Sequence, residues 1–233
     1  MAQDTKHWYD QGDTLWNHRR PESNWHFDPD IDDSEHPGVK VNFVKFRGDW
    51  SEELANTEYK ETAVQDLSHY LVRIGIQELS NVGLSYHIEG QRATVDASIH
   101  PKITEIANSF HLAEPYAQII YQRPGDMFPL HLDALACVYD TTTVNSWDQV
   151  YLNRDRRRLF VALDDWNWGQ FMTMGNYNWS NWKAGDVMWF DWYDMPHASA
   201  NAGFFARPML KLTGYTTPEF EALLAGDGKT IEI

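Results

Sequence analysis

His131-Leu132-Asp133 is the short segment of this chain with the clearest capacity for chemistry. On a β-strand, residues i and i+2 point to the same side, so the imidazole and the carboxylate would converge. A second imidazole from a distant strand would complete a set of two histidines and one carboxylate. Such a set leaves open positions on a metal, as iron(II) needs when it must also bind a small molecule and dioxygen. The pair alone is not selective. The chain has 10 His and 34 acidic residues, and His26-Phe27-Asp28 and His87-Ile88-Glu89 repeat the pattern. A surface ion pair or a capped turn accounts equally well for any single copy.

The surroundings of His131 set it apart. Tyr121-Gln122-Arg123-Pro124-Gly125 places a Pro-Gly turn before the ligand strand. Lys183 to Phe190 reads as a turn followed by a strand, and His197 and Asn201 come soon after. Ten residues past His197 stands Arg207, which opens the run Arg207 to Thr213. Over about residues 117 to 215 this pattern resembles the double-stranded β-helix oxygenases that use iron(II) and 2-oxoglutarate. The prolyl hydroxylases and the aspartyl/asparaginyl hydroxylases are the nearest flavours.

The resemblance implies that His131, Asp133 and His197 hold Fe(II) and that Arg207 binds the far carboxylate of 2-oxoglutarate. It also implies consumption of O2 and oxidation of a C–H bond in an amino-acid, peptide or other small substrate. Tyr121, ten residues before His131, matches a prolyl hydroxylase tyrosine that meets the same carboxylate. Arg158 opens an apolar strand as an arginine does in both subfamilies, which implies contact with cosubstrate or substrate; a solvent-facing strand end is the alternative. One position departs from the pattern. Related chains often carry Ser or Thr two residues after the arginine, where this one has Met209, so Tyr121 or Thr213 is expected to supply the hydroxyl. A carboxylate at position 133 implies hydroxylation rather than halogenation, with desaturation and ring closure as the alternatives.

These residues need a β scaffold. Short β-like runs at Ala117 to Tyr121, Leu130 to Tyr139, Arg158 to Leu163, Gly169 to Met174, Asp186 to Phe190 and Pro208 to Thr213 alternate with Gly, Asp, Asn and Pro turns. The fold class expected is α+β, mainly β: a double-stranded β-helix, or jelly roll, with flanking helices. One domain should span 1–233, as an irregular arm (1–60), helices and supporting strands (61–116), the core (117–215) and a C-terminal helix and tail (216–233). A strand is expected around Val39 to Phe46. Helices are expected at Thr62 to Leu79, at Pro101 to Phe110 with Pro at its start, and after Pro218. Val82 to Ile88 and Ala93 to Ile99 read as strands joined by a turn at Glu89-Gly90. Ala134 to Asp155, with Trp147, is long enough to form a lid, and Trp166 with Trp168 would border the mouth; surface packing is the alternative for both.

A net charge of −15 argues against a nucleic-acid partner, since phosphate binding needs clustered Lys and Arg. No apolar run approaches the ~20 residues of a membrane span, and one cysteine, Cys137, forms no internal disulfide. A cytoplasmic, intracellular location is the expectation. With 11 Trp, 11 Tyr and 11 Phe, a carbohydrate-binding jelly roll is a second reading, using Trp166, Trp168, Trp179, Trp182 and Trp192. It leaves the His, Asp and Arg pattern unexplained. A cupin-like metal enzyme without 2-oxoglutarate is a third, and Arg207 argues against it. Neither the substrate nor the oligomeric state is legible.

Overall fold

A computed structural model describes residues 38–61, 87–88, 90–131, 155–175, 177–191, 195 and 197–233. Residues 1–37 of the expected arm, the helix at Thr62 to Leu79, Asp133 and Trp147 lie outside these residues.

The described chain is mainly β. Its strands are β1 (Val39–Arg47), β2 (Lys60–Glu61), β3 (His87–Ile88), β4 (Gln91–Thr94), β5 (Ala113–Gln122), β6 (Asp126–His131) and β7 (Arg156–Ala162). There follow β8 (Gln170–Met174), β9 (Tyr177–Trp179), β10 (Asp186–Phe190), β11 (His197–Asn201), β12 (Arg207–Tyr215) and β13 (Lys229–Glu232). The helices are α1 (Ser51–Ala55), α2 (Pro101–Asn108) and α3 (Pro218–Ala225). Eight strands form one sheet in the order β13-β1-β10-β7-β12-β5-β4-β2, and five form a second in the order β3-β6-β11-β8-β9. The two sheets face each other in the double-stranded β-helix, or cupin-like, arrangement. The large sheet is not closed on itself.

β12 shows why the core has two layers. Leu210 and Leu212 are fully buried on one face, against α2 and α3 with Leu159, Val161, Phe43 and Phe220. Met209 on the other face packs with Phe160, Met172, Met174, Met188 and Phe190, between the sheets. A strand flanked on both faces reads as nearly continuous apolar sequence, and the few polar residues on its inner face stand out.

α2 buries Ile103, Ile106 and Ala107, a helical spacing that puts one stripe on the large sheet. Its N-terminus is closed by a carboxylate from α1: Lys102 N and Ile103 N donate to Glu53 at 2.8 and 3.1 Å. A carboxylate here satisfies orphan donors and suits the helix dipole. Glu53→Ala should therefore cost about 1–2 kcal/mol in stability, read as a lower denaturant midpoint with an unchanged slope.

Three expectations need correction. The segments on either side of Gly90 are not a hairpin: β3 pairs parallel with β6 in the small sheet, whereas β4 pairs with β5 and β2 in the large one. Gly90 instead carries the chain between sheets at φ +80°, where a Cβ would sit 2.4 Å from the Tyr121 carbonyl oxygen. The strand expected at Ala93 to Ile99 ends at Thr94, because the Asp96 carboxylate accepts from Ser98 N and Oγ at 2.8 and 2.7 Å and folds a turn. The ligand strand starts at Asp126, directly after the Pro124-Gly125 turn, earlier than Leu130.

Candidate active site

β6 and β11 are antiparallel neighbours in the small sheet, and His131 and His197 are register partners. Directly opposed residues of an antiparallel pair share a face. His131, the last residue of its described segment, enters through this backbone register. His197 is 5% exposed and its ring packs on Phe190, with centroids 4.7 Å apart. Its Nδ1 lies 3.1 Å from the Met195 carbonyl oxygen. A carbonyl only accepts, so Nδ1 is the donor in this contact. Among the described residues no three His, Cys, Asp or Glu side chains form a metal-binding group; Asp133 lies outside them.

A cavity opens between the sheets. Its walls include Ile120, Gln122, Arg158, Phe160, Arg207, Met209 and Lys211 from the large sheet. Phe128, Met172, His197, Ala198 and Ser199 line it from the small sheet. Three of these residues are basic, and no Asp or Glu is among them, although the chain as a whole carries −15.

Arg207 is 3% exposed. One Nη donates to the Phe171 carbonyl at 2.8 Å, and the other donates to Gln122 Oε1. Its Nε has no hydrogen-bond partner, and no ion pair to Arg207 is found among the described residues. Desolvation pulls its pKa down to about 9, so it remains a cation at neutral pH. A buried charge without a counter-charge costs several kcal/mol. An anion about 4 Å away would return on the order of 4 kcal/mol at an effective dielectric of 20.

Gln122 holds this arrangement together. It is the register partner of Arg207, accepts from it, and donates through Nε2 to Ser199 Oγ across the cavity at 3.1 Å. Asn201 adds a second tie between sheets, donating from Nδ2 to the Gln122 carbonyl at 2.9 Å. Tyr121 is not brought to the cavity. The strand period places it on the opposite side of β5 from Gln122, stacked on Tyr59 with centroids 4.5 Å apart. Arg158 and Thr213 do meet: Arg158 Nε donates to Thr213 Oγ1 at 3.2 Å, and Arg158 lines the cavity. Trp166 packs against the inner cluster and donates from Nε1 to the Gln170 carbonyl at 2.7 Å, but is not a cavity residue. Gln122, Ser199 and Lys211 are wall residues that sequence reading missed. Lys211 was legible, being polar and in phase with Arg207 on an apolar strand.

If Gln122 positions Arg207 without neutralising it, Gln122→Glu should supply the missing anion internally. The expected result is a higher melting temperature and at least a tenfold weaker affinity for added dicarboxylates, measured by thermal melts and titration calorimetry.

No family model matches the chain, and no curated protein matches it. Among solved structures, a prolyl-4-hydroxylase from Pseudomonas putida aligns at 16% identity and TM-score 0.37, covering 70% of this chain and 96% of that one. A cupin 2 conserved barrel domain protein from Salinispora arenicola aligns at 10% identity and TM-score 0.31, over 57% and 81% of the two chains. An oxalate decarboxylase aligns at 16% identity and TM-score 0.31, over 53% of this chain and 25% of that one, so the present chain spans a quarter of the decarboxylase. Likenesses this distant carry no argument about chemistry, which rests on the residues themselves. Among the described residues no helix is long and apolar enough to cross a membrane.

Proposed function

We propose that this chain is an iron(II)- and 2-oxoglutarate-dependent oxygenase that oxidises a C–H bond of a small or peptidyl substrate. The observation that carries the reading is Arg207, a buried guanidinium with no counter-charge among the described residues, in the wall of a cavity that His197 also lines. His131, Asp133 and His197 would hold the iron; two imidazoles and a carboxylate are a donor set suited to it. Iron, 2-oxoglutarate and dioxygen supply the oxidising chemistry when bound, with succinate and carbon dioxide as by-products.

The chain's own residues bind and orient. Arg207 takes the far carboxylate of 2-oxoglutarate, as a guanidinium fork pairs with a carboxylate in two hydrogen bonds. Gln122 fixes the fork from one side, and the Trp182 ring, 5.9 Å from the guanidinium carbon, flanks it. Ser199 accepts from Gln122 and keeps its own proton to donate to the same carboxylate. In this reading Ser199 provides the hydroxyl absent at Met209, in place of Tyr121 or Thr213. Met209, Met172 and Phe160 exclude water from the space between. Of the tryptophans in the carbohydrate-binding alternative, Trp179 and Trp182 are 3% and 2% exposed and offer no ring face to a sugar, whereas Trp168 is 83% exposed.

The test is product formation without added substrate. Protein reconstituted with iron(II) should form succinate slowly from 2-oxoglutarate, and only when iron and dioxygen are both present. Protein that binds 2-oxoglutarate yet forms no succinate would favour a binding protein over an enzyme.

A further inference from the structure

The inner face of the small sheet lines the cavity through Phe128, Met172 and Ser199. Residues between these point the other way. Met127 on β6, Ala200 on β11 and Phe171 on β8 are register partners and form one uncharged row across that outer face. Met127 and Phe171 are each 40% exposed.

Two loops rise from the same end of the sheet. One leads through Trp168 and Gly169 into β8, and the other joins β11 to β12 through Phe204 and Phe205. Trp168, Phe204 and Phe205 are 83%, 90% and 64% exposed. Their backbone is nevertheless fixed. Ala202 N donates to the Gly169 carbonyl at 2.9 Å, and a Cβ at Gly169 would sit 2.6 Å from Gly203 N. Two buried amides brace the second loop: Gln170 Nε2 and Asn201 Nδ2 donate to the Phe205 carbonyl at 3.0 and 2.8 Å. Rings held out on an ordered backbone lose little entropy on meeting a partner.

The area is large enough for an interface. A whole aromatic side chain buries about 150–250 Å², so the three loop rings offer roughly 500 Å². Phe171 and Met127 bring the total to roughly 650 Å², above the ~300–600 Å² of the largest patch on a typical monomer and close to the ~800 Å² that each partner contributes to a standard stable complex. The charges beside the patch include two internal ion pairs, Arg123 with Glu61 at 2.7 Å and Lys183 with Asp165 at 3.1 Å. Copies of a chain carrying −15 repel one another overall, and an uncharged face is where they can approach. The surface also suits itself. A two-fold contact sets each element of a patch against another element of the same patch, and this one has projecting rings beside a row with small Ala200 at its centre.

We propose that this face joins two copies of the chain in a two-fold dimer, with Phe204 and Phe205 of each copy on the Met127, Ala200 and Phe171 row of the other. The contact does not depend on the oxygenase reading. Full-length wild type is followed by sedimentation equilibrium across the micromolar range. Twice the chain mass is expected, with a dissociation constant in the micromolar range or tighter. Phe204→Asp and Ala200→Arg should each weaken association at least 30-fold, as loss of a central apolar anchor does, with circular dichroism unchanged. Phe204→Leu should stay dimeric. An equimolar mixture of Phe204→Asp and Ala200→Arg should associate again, because one junction of the mixed pair is wild type and the other sets Asp against Arg. Should Ala200→Arg fail to fold, Phe204→Asp decides alone, its side chain being outside the core. A wild type that remains monomeric would overturn the dimer and assign the face to the chain's own residues 1–37 or to an unlike partner. Dimers that persist in Phe204→Asp, or two folded single variants whose mixture does not associate, would overturn the crossed packing.

Discussion

Arg207→Ala should weaken 2-oxoglutarate binding by about 30-fold or more, with much less effect on iron affinity. Removing one partner of a buried, charge-assisted contact typically costs on the order of 2–5 kcal/mol, and each 1.4 kcal/mol is tenfold. The substitution should not unfold the protein. Its losses are the hydrogen bonds to Gln122 Oε1 and the Phe171 carbonyl, and it removes a desolvated cation that lacks an ion pair among the described residues. Arg207→Lys keeps the charge but not the planar fork and should fall between the two. Affinity should also follow the protonated guanidinium. Its pKa of about 9 without ligand means that binding is level between pH 6 and 8 and weakens as the pH rises through 9 and above. Unchanged affinity in Arg207→Ala, by anaerobic titration calorimetry, would remove the residue from the site.

His197→Ala and His131→Ala should each abolish iron-dependent turnover while leaving the fold largely intact. Each would remove one of three protein ligands, and the residual site would not hold iron(II) in the geometry that turnover needs. The β6 and β11 register keeps the pair aligned through backbone hydrogen bonds that neither substitution touches. His26→Ala is the control, since His26-Phe27-Asp28 has the same spacing and should leave iron affinity unchanged. Loss of iron in His26→Ala with retention in His131→Ala would place the metal at His26-Phe27-Asp28 instead. Metal content after reconstitution, alongside far-ultraviolet circular dichroism, separates ligand loss from unfolding.

Much of the β scaffold was legible because its strands are short, apolar and punctuated. Arg158 to Leu163, Asp186 to Phe190 and Pro208 to Thr213 each lie within or nearly within a strand of the structure. Helix α2 was legible from Pro101 and the spacing of Ile103, Ile106 and Ala107. Sequence could not tell that Gly90 leads out of one sheet into the other, because a Gly turn between two β-like runs looks the same either way. Nor could it see that Asp96 folds a turn after Thr94, where valine and isoleucine suggested more strand. At the site, Arg207 and His197 could be found by spacing. Spacing from His131 points to Tyr121, whereas the register of β5 against β12 puts its neighbour Gln122 beside Arg207. That difference is one residue, and one residue on a strand reverses the face.

The central claim is that one cavity holds iron and 2-oxoglutarate together, and anaerobic spectroscopy addresses it most directly. Purified protein is titrated with iron(II) under anaerobic conditions, then with 2-oxoglutarate, and the visible spectrum is followed. A weak charge-transfer band should appear only when both are present, saturate at about one equivalent of each, and be absent in His197→Ala. In Arg207→Ala it should need far more 2-oxoglutarate. Iron binding with no band at any 2-oxoglutarate concentration, or a band that survives His197→Ala, would contradict the account.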